Sequence, residues 1–156
     1  MGLRDRFNDA LKEAMRAKAT KRLSTLRLVL AAVKDRDIAA RTEASREGVS
    51  DDEILQVLTK MIKQREESAV TYDAGLRPEL AAGEREEILI IREFMPKQLG
   101  PEETRAAVAA AIAETGAASM KDMGKVMAAL KERFAGQMDF AKAGSAVKEL
   151  LATPKA

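Results

Sequence analysis

The sequence has 156 residues, with 27 Lys and Arg against 25 Asp and Glu, a formal net charge of +2. Hydrophobic residues make up 46% and charged residues 33%, whereas aromatic residues contribute only 3% and no alternating strand pattern occurs. This composition is typical of soluble helical proteins and argues against β-sheet and membrane-spanning classes. We predict an all-α fold with two multihelical domains and an aliphatic core.

Cysteine and histidine are both absent. Their absence excludes a disulfide, a thiolate nucleophile, a Cys-based zinc site and an imidazole general base. The start of the chain lacks the apolar stretch of a signal peptide, and no apolar run approaches the roughly 18 residues of a membrane span. We therefore expect a cytoplasmic protein with no membrane partner.

Four helices are predicted in the first 95 residues. Leu3, Phe7 and Leu11 recur every fourth residue and indicate the first helix. A break near Lys18 separates it from the second helix. The apolar stripe of that second helix consists of Leu23, Leu26, Leu30 and Val33 and continues toward Ile38.

The third and fourth helices are bounded by local signals. Ser50 is a predicted N-cap, with Glu53 three residues later as its capping-box partner. Gly75 is a predicted C-terminal stop, and Pro78 suits the first turn of the fourth helix. Pro96 ends that helix, so the helical domain extends over residues 1–95.

Residues 95–103, MPKQLGPEE, give the clearest linker signal because they carry two prolines and a glycine. We therefore predict a second domain over residues 96–156, a bundle of three short helices. The first runs from Pro101 to about Thr115 before Gly116. The second spans residues 120–134, and Asp139 caps a third that ends near residue 151.

The periodicity also predicts the two cores. The residues expected to be buried in the first domain are Leu26, Leu30, Leu58, Ile62 and Ile88. Those expected to be buried in the second are Val126, Leu130, Val147 and Leu150.

The stretch SMKDMGKVMAAL places a glycine inside a predicted helix. Ser119 is a good N-cap and Asp122 can point back to it as a capping-box acid. Gly124 then costs about 1 kcal/mol relative to alanine. Either a neighbouring helix or an RNA backbone approaches too closely for a side chain at this position. We favour helix packing.

Charge is unevenly distributed along the chain. Residues 1–42 hold 11 Lys and Arg against 5 Asp and Glu, a balance of +6. Residues 43–95 hold 7 against 13, or −6, and residues 96–156 hold 9 against 7, or +2. Either the first third lies against the second and the charges complement each other, or part of the basic surface faces an acidic partner.

No self-contained active site is predicted. The sequence lacks a glycine-rich phosphate loop, a nucleophile elbow and a His-bearing metal motif. Neighbouring acids such as Glu86 and Glu87 diverge on a helix, and we expect that pair on a solvated face. We therefore assign no catalytic residue, no cofactor-binding residue and no metal ligand, and we expect no cofactor.

Two basic clusters are the candidate binding sites. The basic corner, between the first two helices, consists of Arg16, Lys18, Lys21, Arg22 and Arg27. The tail cations are Lys121, Lys125, Lys131, Arg133, Lys142 and Lys148. Such charges bind nucleic-acid phosphates without reading sequence, and the lack of aromatic side chains beside them argues against single-strand recognition. The alternative is that they are ordinary solvated side chains.

The chain resembles the YqeY family of small bacterial proteins over residues 2–151. The stretches that carry the resemblance are MRAKATKRLSTLRLVLAAVKDRDI, ILQVLTKMIKQREES, YDAGLRPEL, EFMPKQL and AETGAASMKDMGKVM. GKVMAAL followed by VKELL resembles the C-terminal tail of GatB, a subunit of the glutamine-dependent tRNA amidotransferase. The sequence departs from this pattern at Gln137 and Ala141, where basic residues are usual. Lys142 lies one position along, rotated by about 100° on a helix.

The resemblance implies a two-domain helical protein whose tail helps to hold tRNA, while the amidotransferase chemistry belongs to other parts of that enzyme. Our leading hypothesis is a non-catalytic accessory protein that associates with tRNA or another RNA. The first alternative is an adaptor that docks on an amidotransferase or another enzyme. The second is a component of a carbon–nitrogen ligase with glutamine as amido-N-donor, although these residues offer no autonomous activity.

Overall fold

The computed structural model describes residues 2–42 and 47–152. Within this part of the chain the secondary structure is entirely helical, which confirms the all-α prediction. The helices are α1 (Leu3–Arg16), α2 (Thr20–Ala39), α3 (Asp51–Ala74), α4 (Pro78–Arg92), α5 (Pro101–Thr115), α6 (Met123–Arg133) and α7 (Phe140–Ala152), with a 3₁₀ turn at Met120–Asp122.

The chain divides into two compact units, residues 1–95 and residues 96–156, which we call the N-terminal unit and the tail. Each unit has its own hydrophobic cluster. Whether the two units fold as independent domains stays a prediction.

Most helix ends lie where the local signals predict them. The Ser50 hydroxyl accepts a hydrogen bond from the Glu53 backbone N–H at 3.3 Å. Pro78 is the first residue of α4, and Gly116 ends α5 in the left-handed conformation at φ 68°. Asp139 Oδ1 accepts from the Ala141 N–H at 2.9 Å and so caps α7.

The start of α6 differs from the prediction of a single helix over residues 120–134. A 3₁₀ turn comes first, and the carboxylate of Asp122 accepts hydrogen bonds from the N–H groups of Ala118 at 3.0 Å and Ser119 at 3.4 Å. These two bonds, with a smaller contribution from Lys125, lower the pKa of Asp122. The carboxylate therefore points back along the chain, as expected for a capping box.

The core of the N-terminal unit forms where α1 to α4 pack together. Phe7 is fully buried, and its ring meets that of Phe94 edge to face, with the centroids 4.9 Å apart. The prediction of burial is confirmed for Leu26, Leu58, Ile62 and Ile88. It is only partly right for Leu30, because Leu26, Val29 and Val33 are the α2 residues that face the core.

A polar clip connects α1, α2 and the segment before α3. Arg4 donates to both carboxylate oxygens of Asp37, at 2.7 and 2.8 Å, and to the Val49 carbonyl at 3.0 Å. The Val49 N–H donates to Asp37 Oδ1 at 2.8 Å. The hydrogen bond from Arg4 lowers the pKa of Asp37 to about 2, and the Val49 bond adds to this effect. A side chain at Gly48 would meet the guanidinium, since an added Cβ lies 2.5 Å from Arg4 Nη2.

The tail has a smaller core between α5, α6 and α7. Its fully buried side chains include Val108, Val126, Leu130 and Val147. The prediction of burial is therefore confirmed for Val126, Leu130 and Val147. The prediction of burial is wrong for Leu150, which is 42% exposed. Val147 and the partly buried Leu151 lie one turn apart and take the inward face of α7, so Leu150 is rotated away from it.

Candidate nucleic-acid interface

The basic corner lies where α1 reverses into α2. Arg16 ends α1, and Lys18 takes the left-handed conformation at φ 53° in the connection. The Ala19 N–H donates to the Ala14 carbonyl at 3.0 Å and closes the turn. This tight connection brings the last turn of one basic helix beside the first turn of the next.

Two of the five basic side chains in this corner are already paired with acids of α4 and the residue that follows it. Lys21 Nζ lies 3.4 Å from Glu87 Oε1, and Arg22 forms an ion pair with Glu93. Glu87 also accepts from Arg65 Nε at 2.9 Å. The basic first third therefore complements the acidic middle third in part, within one unit.

Glu87 corrects the expectation that neighbouring acids on α4 lie on a solvated face. Its side chain is only 16% exposed, and it links α2 and α3 to α4 through Lys21 and Arg65. Glu86, one residue earlier, is exposed as expected. The two carboxylates diverge because successive residues on a helix point about 100° apart.

The other basic-corner side chains have no ion-pair partner among the described residues. Arg16, Lys18 and Arg27 are exposed, and none of them makes a side-chain hydrogen bond or ion pair with another described residue. The corner thus offers three cations to solvent and has Lys21 and Arg22 paired within the unit.

The tail cations divide in the same way. Arg133 forms an ion pair with Glu114 of α5. Lys125 lies close enough to Asp122 to contribute to lowering the pKa of that carboxyl. The tail cations that are exposed, with no ion pair to any described residue, are Lys121, Lys131, Lys142 and Lys148.

Helix packing, our preferred explanation for the glycine at position 124, is not supported by the surroundings of Gly124. The residue is exposed, and a Cβ built on it finds no heavy atom of the described residues within 4 Å. Close packing against a described helix is therefore not the reason for this glycine. Gly144 of the tail, in contrast, does face a neighbouring helix, since an added Cβ would lie 3.7 Å from the Met123 methyl carbon.

The surroundings of Gly124 form a smooth basic strip on α6. Gly124 and the exposed Ala128 lie one helical turn apart. Lys125 and Lys131 border them, about 120° apart around the helix axis at about 100° per residue. We call Gly124, Lys125, Ala128 and Lys131 the α6 strip. Lys142 belongs to α7 and is not part of it.

Two other kinds of site, a metal centre and a membrane span, can be checked in the described residues. No group of three or more acidic side chains among them is arranged to hold a metal ion. None of the described helices combines the length and apolarity needed to cross a membrane.

Comparison with known proteins identifies the family. The profile of the family described as Yqey-like protein matches residues 4–151, and the chain belongs to this family. The match confirms the family resemblance inferred from the sequence.

Curated relatives come from yeasts. The chain is 34% identical over 87 residues to altered inheritance of mitochondria protein 41, mitochondrial, of Saccharomyces cerevisiae, and 36% identical over 87 residues to the protein of the same name from Clavispora lusitaniae. The alignments cover 54% of this chain but only 44% and 46% of those proteins, so the match spans less than half of each relative. Since the names of these relatives refer to mitochondria, a cytoplasmic location for this chain stays a prediction.

Proposed function

We propose that this member of the YqeY-like family is a non-catalytic accessory protein that binds the backbone of a folded RNA such as tRNA through the α6 strip. The observation that carries the proposal is the open surface at Gly124. A glycine in a helix costs about 1 kcal/mol relative to alanine, and nothing inside the described chain requires one here. A partner that approaches the helix backbone closely would require it.

The charge of the strip favours a phosphate backbone as that partner. Lys131 has no described acid partner, and Lys125 faces only the already hydrogen-bonded Asp122. Such lysines gain little from neighbours in the chain but release condensed counterions when they neutralise phosphates. No aromatic side chain is exposed on the strip, which favours contact with the backbone of a folded RNA over stacking on single-stranded bases.

The basic corner would add a second set of backbone contacts from the N-terminal unit. Arg16, Lys18 and Arg27 are free of ion pairs to described residues, whereas Lys21 and Arg22 are paired with Glu87 and Glu93. We therefore assign the larger contribution to the three unpaired cations. Removing a paired cation also frees its acid, which would repel RNA.

Titration of labelled tRNA with the full chain at low and high salt tests the proposal. The affinity should fall with salt, and the double variant Lys125→Ala/Lys131→Ala should reduce the dependence of log K on log salt by about one unit per lysine. Arg133→Ala/Glu114→Gln is the control, because it removes a cation of the same helix together with the acid that pairs with it and leaves no freed carboxylate to repel RNA. Salt-independent binding of the wild type, or an equal slope change in the control, would contradict the proposal.

An adaptor that docks on another protein is the second candidate, and the same strip carries it. Small residues one turn apart, Gly124 and Ala128, also allow the close approach of a partner helix. Association of this kind would survive nuclease treatment and respond weakly to salt. Recovery of the tagged chain's partners with and without nuclease therefore separates the two candidates.

A link to an amidotransferase rests on the resemblance of the tail to the GatB tail. In that arrangement this chain would hold tRNA for an enzyme whose catalytic groups belong to other chains. A tRNA amidotransferase assay with and without this chain tests the link, since an accessory role requires a change in KM for tRNA.

A further inference from the structure

The groove between α3 and α4 is a second surface with features that the RNA proposal does not use. It has a volume of about 480 Å³. Val70 and Leu89 line it with 66% and 65% of their surfaces exposed, beside the buried residues Ala69 and Ile88. Two large exposed apolar side chains in one groove indicate an interaction surface rather than a single residue exposed by chance.

The two walls of the groove repeat one pattern with opposite charge. Each helix carries a charge, an apolar residue four positions later and a second charge three positions after that. These residues are Glu66, Val70 and Asp73 on α3, and Arg85, Leu89 and Arg92 on α4. Positions with this spacing lie on one face of a helix. The α3 wall is therefore acidic and the α4 wall basic along the same length.

Two ion pairs cross the groove, one near each end of this pattern. Arg92 Nη2 lies 2.9 Å from Glu66 Oε1, and Arg85 Nη2 lies 2.5 Å from Asp73 Oδ2. The helices thus run antiparallel, and each acid stands level with the arginine across from it. All four side chains are about half exposed, so the pairs contribute little to the stability of a single copy.

We propose that a second copy of the chain covers this groove in a two-fold symmetric dimer, with the symmetry axis running along the groove. Rotation about this axis lays α3 of one copy over α4 of the other and keeps each residue at its own level. Glu66 then faces Arg92 of the second copy, and Asp73 faces Arg85 of the second copy. The apolar side chains of both copies meet between these charges, as in a four-helix bundle.

Charge complementarity selects this occupant over others. A partner helix with charges of one sign would meet repulsion from either the acidic or the basic wall. After the two-fold rotation, the basic α4 wall of the second copy faces the acidic α3 wall of the first. The acidic α3 wall of the second copy faces the basic α4 wall of the first. A second copy therefore satisfies both walls with one surface.

Sedimentation velocity of the full chain over a dilution series tests the proposal. The wild type should be dimeric at high concentration. Arg85→Glu and Asp73→Arg should each be monomeric over the same range, because each substitution brings like charges together across both halves of the interface. An equimolar mixture of the two variants should form dimers again, since every new charge meets its opposite on the other variant. Within each variant the crossing pair stays repulsive, so recovery in the mixture requires contact between copies.

Several results would overturn the proposal. The first is a wild-type chain that stays monomeric at every concentration, even if a different protein binds in the groove. The second is a single variant that dimerises as well as the wild type. The third is a mixture of the two variants that does not associate. Circular dichroism controls for folding of the variants.

Leu89→Ala is a milder variant that removes an exposed side chain and should weaken dimerisation by about tenfold or more. Unchanged dimerisation of this variant would also contradict the proposal that the groove is the interface.

Discussion

The N-terminal unit and the tail use charge and backbone geometry differently. The N-terminal unit connects its helices with paired side chains such as Arg4 with Asp37 and Arg65 with Glu87. Its turns hold two non-glycine residues, Lys18 and Leu76, in the left-handed conformation. That conformation costs about 1–2 kcal/mol for an L-residue and persists where the surrounding structure determines it.

The tail makes the same kind of turn with Gly116 and Gly136, at φ 68° and 72°. Its ion pairs, such as Arg133 with Glu114, lie on the exposed surface, and several of its lysines have no described acid partner. The difference is that the N-terminal unit connects its helices through ion pairs with partly buried side chains, whereas the tail has only exposed ion pairs among its described residues.

The largest expected effect follows from breaking the clip in the N-terminal unit. Asp37→Ala leaves the Val49 N–H without its acceptor and the Arg4 guanidinium without the carboxylate that pairs with it, so that Arg4 keeps only the Val49 carbonyl. We expect a loss of about 2 kcal/mol in the free energy of unfolding, measured by urea denaturation. Lys131→Ala in the tail is the control and should change it by less than about 0.5 kcal/mol. Equal losses in the free energy of unfolding from Asp37→Ala and Lys131→Ala would contradict the difference between the two units.

Acid should weaken the same clip. The pKa of Asp37 is lowered from 3.8 to about 2, so its stabilising contribution is complete above the unfolded-state value and is lost as the pH falls through the folded-state value. The advantage of the wild type over Asp37→Asn should be about 1–2 kcal/mol near neutral pH, after discounting for solvent exposure. It should shrink between about pH 4 and pH 2 in urea denaturation. A difference that does not vary with pH would mean that the carboxylate is not the stabilising form.

Two glycines of the tail should respond to alanine in opposite directions. Gly116→Ala forces a side chain into the left-handed conformation and should lower the free energy of unfolding by about 1 kcal/mol. Gly124→Ala adds a methyl group in open space within a helix and should raise it by about 0.5–1 kcal/mol. Thermal unfolding followed by circular dichroism measures both. A destabilised Gly124→Ala variant would show a packing constraint at this position.

The smallest effect concerns the strained turn of the basic corner. Lys18→Gly removes the strain of a side chain in the left-handed conformation but increases the conformational freedom of the unfolded chain. We therefore expect the free energy of unfolding to rise by about 0.5 kcal/mol. Leu76→Gly, at the other left-handed position, should act in the same direction. A loss of stability in both variants would indicate that the packing of these two side chains stabilises the fold by more than the backbone strain destabilises it.

The sequence predicts the helices and most of their ends because the signals there are local. Ser50, Pro78 and Gly116 act on backbone groups within one turn, so their effect does not depend on the rest of the fold. The inward face of α2 was harder to predict. Apolar residues surround much of that helix, and a small rotation exchanges Leu30 for Val29 at the core.

The candidate site was less predictable because it depends on distant neighbours. Lys21 and Glu87 are 66 positions apart, so their pairing follows from the packing of α2 against α4 and not from local pattern. The cost of Gly124 is evident from the sequence, but only the fold reveals that the space around it is open. The matched spacing of charges on α3 and α4 is present in the sequence, but only the antiparallel packing of the two helices places opposite charges level with each other.

The affinity of Gly124→Gln for labelled tRNA tests the proposed function most directly. This substitution keeps the charge and suits a helix, but its side chain fills the open space on the α6 strip. We predict weaker tRNA binding than for the wild type at low salt, with a free energy of unfolding that is unchanged or higher. Binding equal to that of the wild type, in a folded variant, would contradict an RNA backbone lying against Gly124.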